Sequence, residues 1–352
     1  MRTRLLIALA ALGALLALPA IAGATMAYTT TPGKASGTNM PIKLADDDGA
    51  NVRTLNVSGM EPMISPNGKY IAYTFISNTK TWTQELRFVN VATGVMLDTN
   101  LACTGPEWAP NSSAVACTVA RYGTPAQGML GTGINTVTPD GTSTIILPAT
   151  GYAVQGYSWS PDSSKIVWDQ TPINVKTTRS TLRWLNADGS GAVGKLGNGV
   201  NPVWGPTKIA FTRMQHVMVN GLMLFHQEIW TLDPAVGASS AEQLTDYKAK
   251  GFIEGPTPKY WTPDGTRVVG AVTGQDYNQP VYVPVSSGKV TVFGPGNAAV
   301  QGVSADGTQA LVIAGLMGDT PQPVYASPLA KESSSLLLKD AWAVSATANW
   351  QP

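Results

Sequence analysis

The sequence predicts an all-β fold, a β-propeller of four-stranded antiparallel blades. Three observations predict it. One ten-residue pattern recurs along the chain, each copy sets a tight turn between two strand-like runs, and further short strands fill every interval. The composition agrees. Gly (36) and Pro (25) punctuate the 352 residues, 43% of the chain is hydrophobic and only 13% is charged. Such a chain can bury a core, but turns interrupt it too often for a long helical bundle, and it is too apolar for a disordered tail.

The pattern occupies residues 64–73, 159–168 and 261–270, with weaker copies at 108–117 and 303–312 and a shortened one at 204–211. Its start reads Trp159-Ser160-Pro161-Asp162 in one copy and Trp261-Thr262-Pro263-Asp264 in another. Pro presets φ for the first central position of a turn, and Asp or Asn followed by Gly or Ser completes it. Asp162, Asp264 and Asp306 are therefore read as turn formers. Two residues before each turn Pro (or Ala305) stand Ile64, Trp108, Trp159, Trp204, Trp261 and Val303. A large apolar group at one fixed place per repeat predicts a packing layer between neighbouring sheets. Turn positions 66, 110, 161, 206, 263 and 305 are spaced by 44, 51, 45, 57 and 42 residues. The intervals hold strand-like runs at 85–91, 134–138, 181–185, 228–232 and 281–285. Four short strands in roughly 47 residues is the signature of a propeller blade. A β-sandwich would also give evenly spaced strands, but not six copies of one motif.

The two ends of the chain complement each other. Trp350 and Pro352 repeat the start of the motif, and Pro352 stands 47 residues beyond Ala305. Residues 26–30, 41–46 and 51–56 resemble the second, third and fourth strands of a blade. A composite blade follows, its first strand C-terminal and the other three N-terminal, which removes exposed sheet edges. Seven blades are expected, with six blades and loose ends as the alternative.

The Trp-Ser-Pro-Asp-x-x-x-Ile-Val/Ala pattern resembles the TolB-type, WD40-like propeller repeat of exported bacterial proteins, over nearly all of residues 25–352. The resemblance implies the propeller and leaves the activity open, because one fold hosts many functions. TolB-type proteins carry an α/β domain before the propeller, and prolyl-oligopeptidase-like enzymes carry a hydrolase domain beside it. Fewer than 40 residues follow the expected leader before the first full repeat, so neither role transfers with the propeller.

Residues 1–24 read as a signal peptide: basic Arg2 and Arg4, an apolar run from Leu5 to Ala22, and small residues Ala22 and Ala24 at the cut. An exported protein, periplasmic or secreted, is expected, with residues 25–352 as a single domain. Without Arg2 and Arg4 the 23 basic residues fall to 21, against 22 acidic ones. That balance excludes a nucleic-acid footprint and a polybasic membrane surface.

Catalytic signatures are sparse. There is no Gly-x-Ser-x-Gly elbow, phosphate loop or dinucleotide fingerprint, and His216 and His226 are the only two histidines. No catalytic residue, metal ligand set or cofactor is assigned. Asp46-Asp47-Asp48-Gly49 lacks the spacing of a calcium loop and reads as a hairpin turn. The most unusual segment is 214–226. Asn220-Gly221 suits a two-residue hairpin turn, pairing Val219 with Leu222, Met218 with Met223 and His216 with Phe225. Met214, His216, Met218, Met223 and Phe225 then share one face, with His226 on the other. That face suits a partner protein, plain packing or, through thioether and imidazole, Cu(I). Polar loops at 77–84, 122–133 and 171–180 are expected on the same side of the disc.

Cys103 and Cys117 are the only cysteines. In an exported chain they are expected to form a disulfide, provided the chain bends at Gly105-Pro106. The leading functional expectation is a monomeric, non-catalytic propeller of the cell envelope that binds another protein. The alternative is an enzyme or a small-ligand or metal binder using the central channel. That alternative needs polar groups on the innermost strands, where the sequence suggests mainly Trp, Pro, Ser and Gly.

Overall fold

The computed structural model describes residues 26–30, 39–124, 126–173, 179–219, 222–247, 253–274, 277–315, 322–330, 333–346 and 350–351. The leader expected at 1–24 and the Asn220-Gly221 turn lie outside the described residues.

The strands pair into seven sheets. Sheet 1 is made from both ends of the chain. Ala343–Ala346 pairs antiparallel with Met26–Thr29, which pairs with Met40–Ala45, which pairs with the first part of Arg53–Ile64. That last strand runs on into sheet 2 and becomes its inner strand, against Tyr70–Asn78. Gly59 sits at the crossing because a Cβ there would stand 2.3 Å from the Tyr73 ring and 2.7 Å from the Thr74 carbonyl oxygen. Sheets 3 to 7 follow in chain order, with inner strands Thr104–Trp108, Tyr152–Trp159, Val200–Trp204, Ile253–Trp261 and Ala298–Ser304.

Seven apolar clusters lie between these sheets, each joining one sheet to the next. The cluster that contains Met26, Val344 and Leu311 joins the seventh sheet back to the first, so the packing closes on itself. Two bonds tie the termini together: the Ile64 N–H donates to Ser345 Oγ at 2.9 Å, and the Trp342 N–H donates to the Thr29 carbonyl at 2.7 Å.

Ile64, Trp108, Trp159, Trp204, Trp261 and Val303 each lie in a different one of these clusters. The tryptophans also carry polar bonds across the sheets. Indole Nε1 of Trp108, Trp159 and Trp261 donates to the Met63, Glu107 and Val203 carbonyls of the preceding inner strand, at 2.7, 3.1 and 3.1 Å. Burying an indole without such a partner would cost its desolvation.

The turns close as their sequence suggests. Asp162 Oδ1 accepts from the Ser164 N–H at 3.0 Å and from Ser160 Oγ, and Asp264 and Asp306 repeat the geometry. The Ser160 hydroxyl above all, followed by the Ser164 N–H, holds the Asp162 carboxyl down at about 2. Where other turns place Gly at positive φ, two place Ser112 (φ 63) and Ser163 (φ 61). Their hydroxyls accept from the Asn67 and Asn111 N–H groups of the preceding turn, both at 3.1 Å. The left-handed strain is exchanged for a bond between sheets.

Trp350 does not open the inner strand of sheet 1. Ala343–Ala346 takes that place, and Trp350–Gln351 pairs with Ser304 and Val303 on the inner edge of sheet 7. Once the composite sheet is complete, the nearest unpaired backbone groups for the tail belong to that neighbouring edge. Cys103 and Cys117 are joined by a disulfide with Cα atoms 5.8 Å apart. The expected bend is present: the ladder shifts register between Thr104 and Glu107, and Gly105 takes φ 61.

Candidate functional site

The inner strands share an irregularity that repeats like the turns. In sheets 2 to 7 the ladder between the inner strand and its neighbour shifts register three to seven residues before the turn Pro or its Ala305 equivalent. Such bulges re-aim side chains and bend the strand. Glu61 (φ 48) and Asn201 (φ 51) occupy the same place as Gly105, five residues before their turn prolines, and hold left-handed backbone there. Asp169 braces two of these bulges. Fully buried, it accepts from the Gln155 N–H of its own sheet at 3.2 Å and the Asn201 N–H of the next at 2.8 Å.

The bulged segments surround a cavity of about 960 Å³ lined by residues of all seven sheets. Its walls carry Pro, Trp and Gly as the sequence suggests, and they also carry Glu61, Glu107, Gln155, Asn201, Lys259 and Gln301. This corrects the expectation of a channel nearly without polar groups. The residues were visible in the sequence, three to six positions before each turn. Strict strand alternation does not single them out as axial, because the bulge breaks the alternation there.

Enclosure dominates the electrostatics. Desolvation raises the Glu107 carboxyl to about 8, against a weaker downward pull from the Trp159 N–H. Glu61 is raised by desolvation alone. Lys259 has surface open to the channel, yet protein surrounds it, and desolvation brings its ammonium down to about 8. Tyr157 is raised well above its ordinary value by desolvation and then by the charges of Glu107 and Glu61, and Tyr260 is raised by desolvation and Glu107. The Tyr157 hydroxyl donates to the Ala116 carbonyl at 3.0 Å. Lys259 Nζ stands 5.7 Å from the centre of the Tyr260 ring.

The second candidate is the hairpin of Ile209–Val219 and Leu222–Leu232 in sheet 5. Its register pairs Met218 with Met223, His216 with Phe225 and Met214 with Gln227. The hairpin face that carries Ala210 and Ile229 into the cluster with sheet 6 continues outward through Met214, His216, Met218, Met223 and Phe225. Beyond the cluster this face is open. Met214, Met218 and Met223 are 52%, 66% and 48% exposed. The His216 and Phe225 rings meet edge to face at 4.8 Å. On the opposite face, Arg213 stacks over the Trp230 ring at 4.2 Å and donates to the Asn198 carbonyl at 3.0 Å. The arm is braced by a short parallel pairing, Phe225 with Ile253 and His226 with Glu254, which links sheet 5 to sheet 6. Among the described residues, no group of three or more His, Cys, Asp and Glu side chains could hold a metal ion.

Comparison with solved structures shows the fold. The chain matches a structure of prolyl endopeptidases with TM-score 0.61 and 12% identity, over 92% of this chain and 50% of that one. It matches the β-propeller domain of the Trilobed protease from Pyrococcus furiosus with TM-score 0.60 and 12% identity, over 86% and 88% of the two chains. TolB from Acinetobacter baumannii is also among the matches, at TM-score 0.46 and 16% identity over 75% and 62%. The chain thus has a β-propeller fold, and it spans about half the length of the prolyl endopeptidase it matches. No family profile matches the sequence, and neither does any curated protein.

Proposed function

We propose that this chain is an exported propeller of the cell envelope that acts by binding another protein, through the Met/His hairpin of sheet 5. One observation carries the reading: an inter-sheet packing face that runs past the sheet it packs against and ends in three exposed methionines. Met side chains adapt to varied partner surfaces, and an open apolar face on a rigid scaffold marks an interaction site. His216 and Phe225 add a flat aromatic contact at its middle. Export is supported by the leader-like residues 1–24 and by the disulfide, a bond favoured outside the cytosol.

Site-specific photo-crosslinking tests the reading. A photoreactive residue at position 218, introduced in the source envelope, is expected to yield one dominant protein adduct. The adduct should disappear when Met214 and Met223 are both changed to Asp. An unchanged adduct, or none, would sink the proposal.

A further inference from the structure

We propose that the axial channel binds a small zwitterion, its cationic end at Glu61 and Glu107 and its anionic end at Lys259 across the axis. The inference is independent of the hairpin and of any protein partner.

The first support is the placement of charge. Glu61 and Glu107 lie on the inner strands of adjacent sheets 2 and 3, and Lys259 lies on that of sheet 6. Counted either way around seven sheets that close on themselves, the lysine is at least three sheets from both carboxylates. Acid and base therefore occupy opposite walls of one cavity. A second support is that they have no ionic partner. Among the described residues, Lys259 and Glu61 have no hydrogen bond or ion pair, and Glu107 accepts one long bond of 3.4 Å from the Trp159 N–H. Glu61 and Lys259 open onto the channel and Glu107 is partly buried, so a ligand in the cavity can reach all three and supply the missing counter-charges.

Size and depth agree. The charged residues sit three to five positions before their turns, so they share one level of the channel within about two residue rises, roughly 7 Å. A cavity near 960 Å³ is at the upper end of small-molecule sites. Tyr157 and Tyr260 line the same level and give the wall apolar surface for an alkyl spacer, with Lys259 Nζ 5.7 Å from the centre of the Tyr260 ring. Glu61 also keeps a left-handed backbone that Gly would hold at lower cost, as is common where a side chain is needed in place. A bare metal cation would use the two carboxylates and leave Lys259 repelled, so it fits the wall charges less well than a molecule bearing both signs.

The test is calorimetric titration of the full chain with a homologous series of ω-amino acids, from glycine through 6-aminohexanoate to longer members. Hexylamine and hexanoate serve as single-charge controls. One chain length should bind with one-to-one stoichiometry and about tenfold tighter than either control, the worth of one charge-assisted hydrogen bond. Lys259→Gln should abolish the preference over hexylamine without lowering the thermal unfolding temperature. A second readout needs no variant: the best ligand should slow acetylation of Lys259 in the native protein, followed by mass spectrometry. The proposal is overturned if no member exceeds the controls, if Lys259→Gln keeps the preference, or if the ligand leaves Lys259 acetylation unchanged.

Discussion

The tryptophan belt and the Met/His hairpin use similar materials to opposite ends. Both place large apolar side chains on the faces of antiparallel strands. In the belt, Trp108 is buried against Phe88 with rings 5.7 Å apart, and its indole nitrogen is bonded to the preceding sheet. In the hairpin, Met218 stands on a face that has outrun its neighbour. The contrast separates two kinds of sequence signal. What repeats in every sheet holds the propeller together, and what occurs in one sheet alone is free to do something else.

Substitutions in the two regions test that contrast. The largest effect is expected from Trp108→Ala, which removes a buried ring and leaves the Met63 carbonyl without its donor. Urea unfolding should show a loss of about 3–5 kcal/mol. A loss below about 1 kcal/mol would mean that the belt does not carry the inter-sheet packing.

An intermediate effect, visible only against pH, is expected from Glu107. Its carboxyl is raised from 4.5 to about 8 by enclosure. A raised acid contributes stability that is full below its unfolded value and is lost as pH rises through the folded one. The native protein should therefore weaken between about pH 5 and pH 8, and Glu107→Gln should flatten that slope. Lys259, lowered from 10.5 to about 8, works in the other direction and at higher pH. Its contribution is present above its unfolded value and lost as pH falls through the folded one. A Glu107→Gln protein with an unchanged slope would show that the carboxyl is better solvated than its surroundings suggest.

The smallest effect belongs to the hairpin. Changing Met218 and Met223 together to Thr should alter unfolding by about 0.5 kcal/mol or less, because both side chains face solvent and Thr suits a strand. A loss near that of Trp108→Ala would mean that the face is packing, and the contrast with the belt would collapse.

Much of the architecture was legible in the residues. The Pro-Asp/Asn turns, the apolar residue two places earlier, the composite sheet and the bend that lets Cys103 meet Cys117 all follow from local chemistry repeated at regular spacing. The hairpin register was equally legible, because Asn-Gly sets a two-residue connection and alternation does the rest. Trp350 was not, because its sequence matches the motif while its backbone partner depends on which sheet edge is free. The channel wall was also missed. Glu61, Glu107 and Lys259 look like ordinary strand residues until the bulges turn them inward.

The repeat, its turns and the strands they connect can be read from the residues alone, since these rest on contacts among residues a few places apart. That acidic and basic groups from sheets 2, 3 and 6 line one cavity follows from long-range packing alone. Residues nearly two hundred positions apart become neighbours across an axis only when the first and last sheets pack and the circle closes.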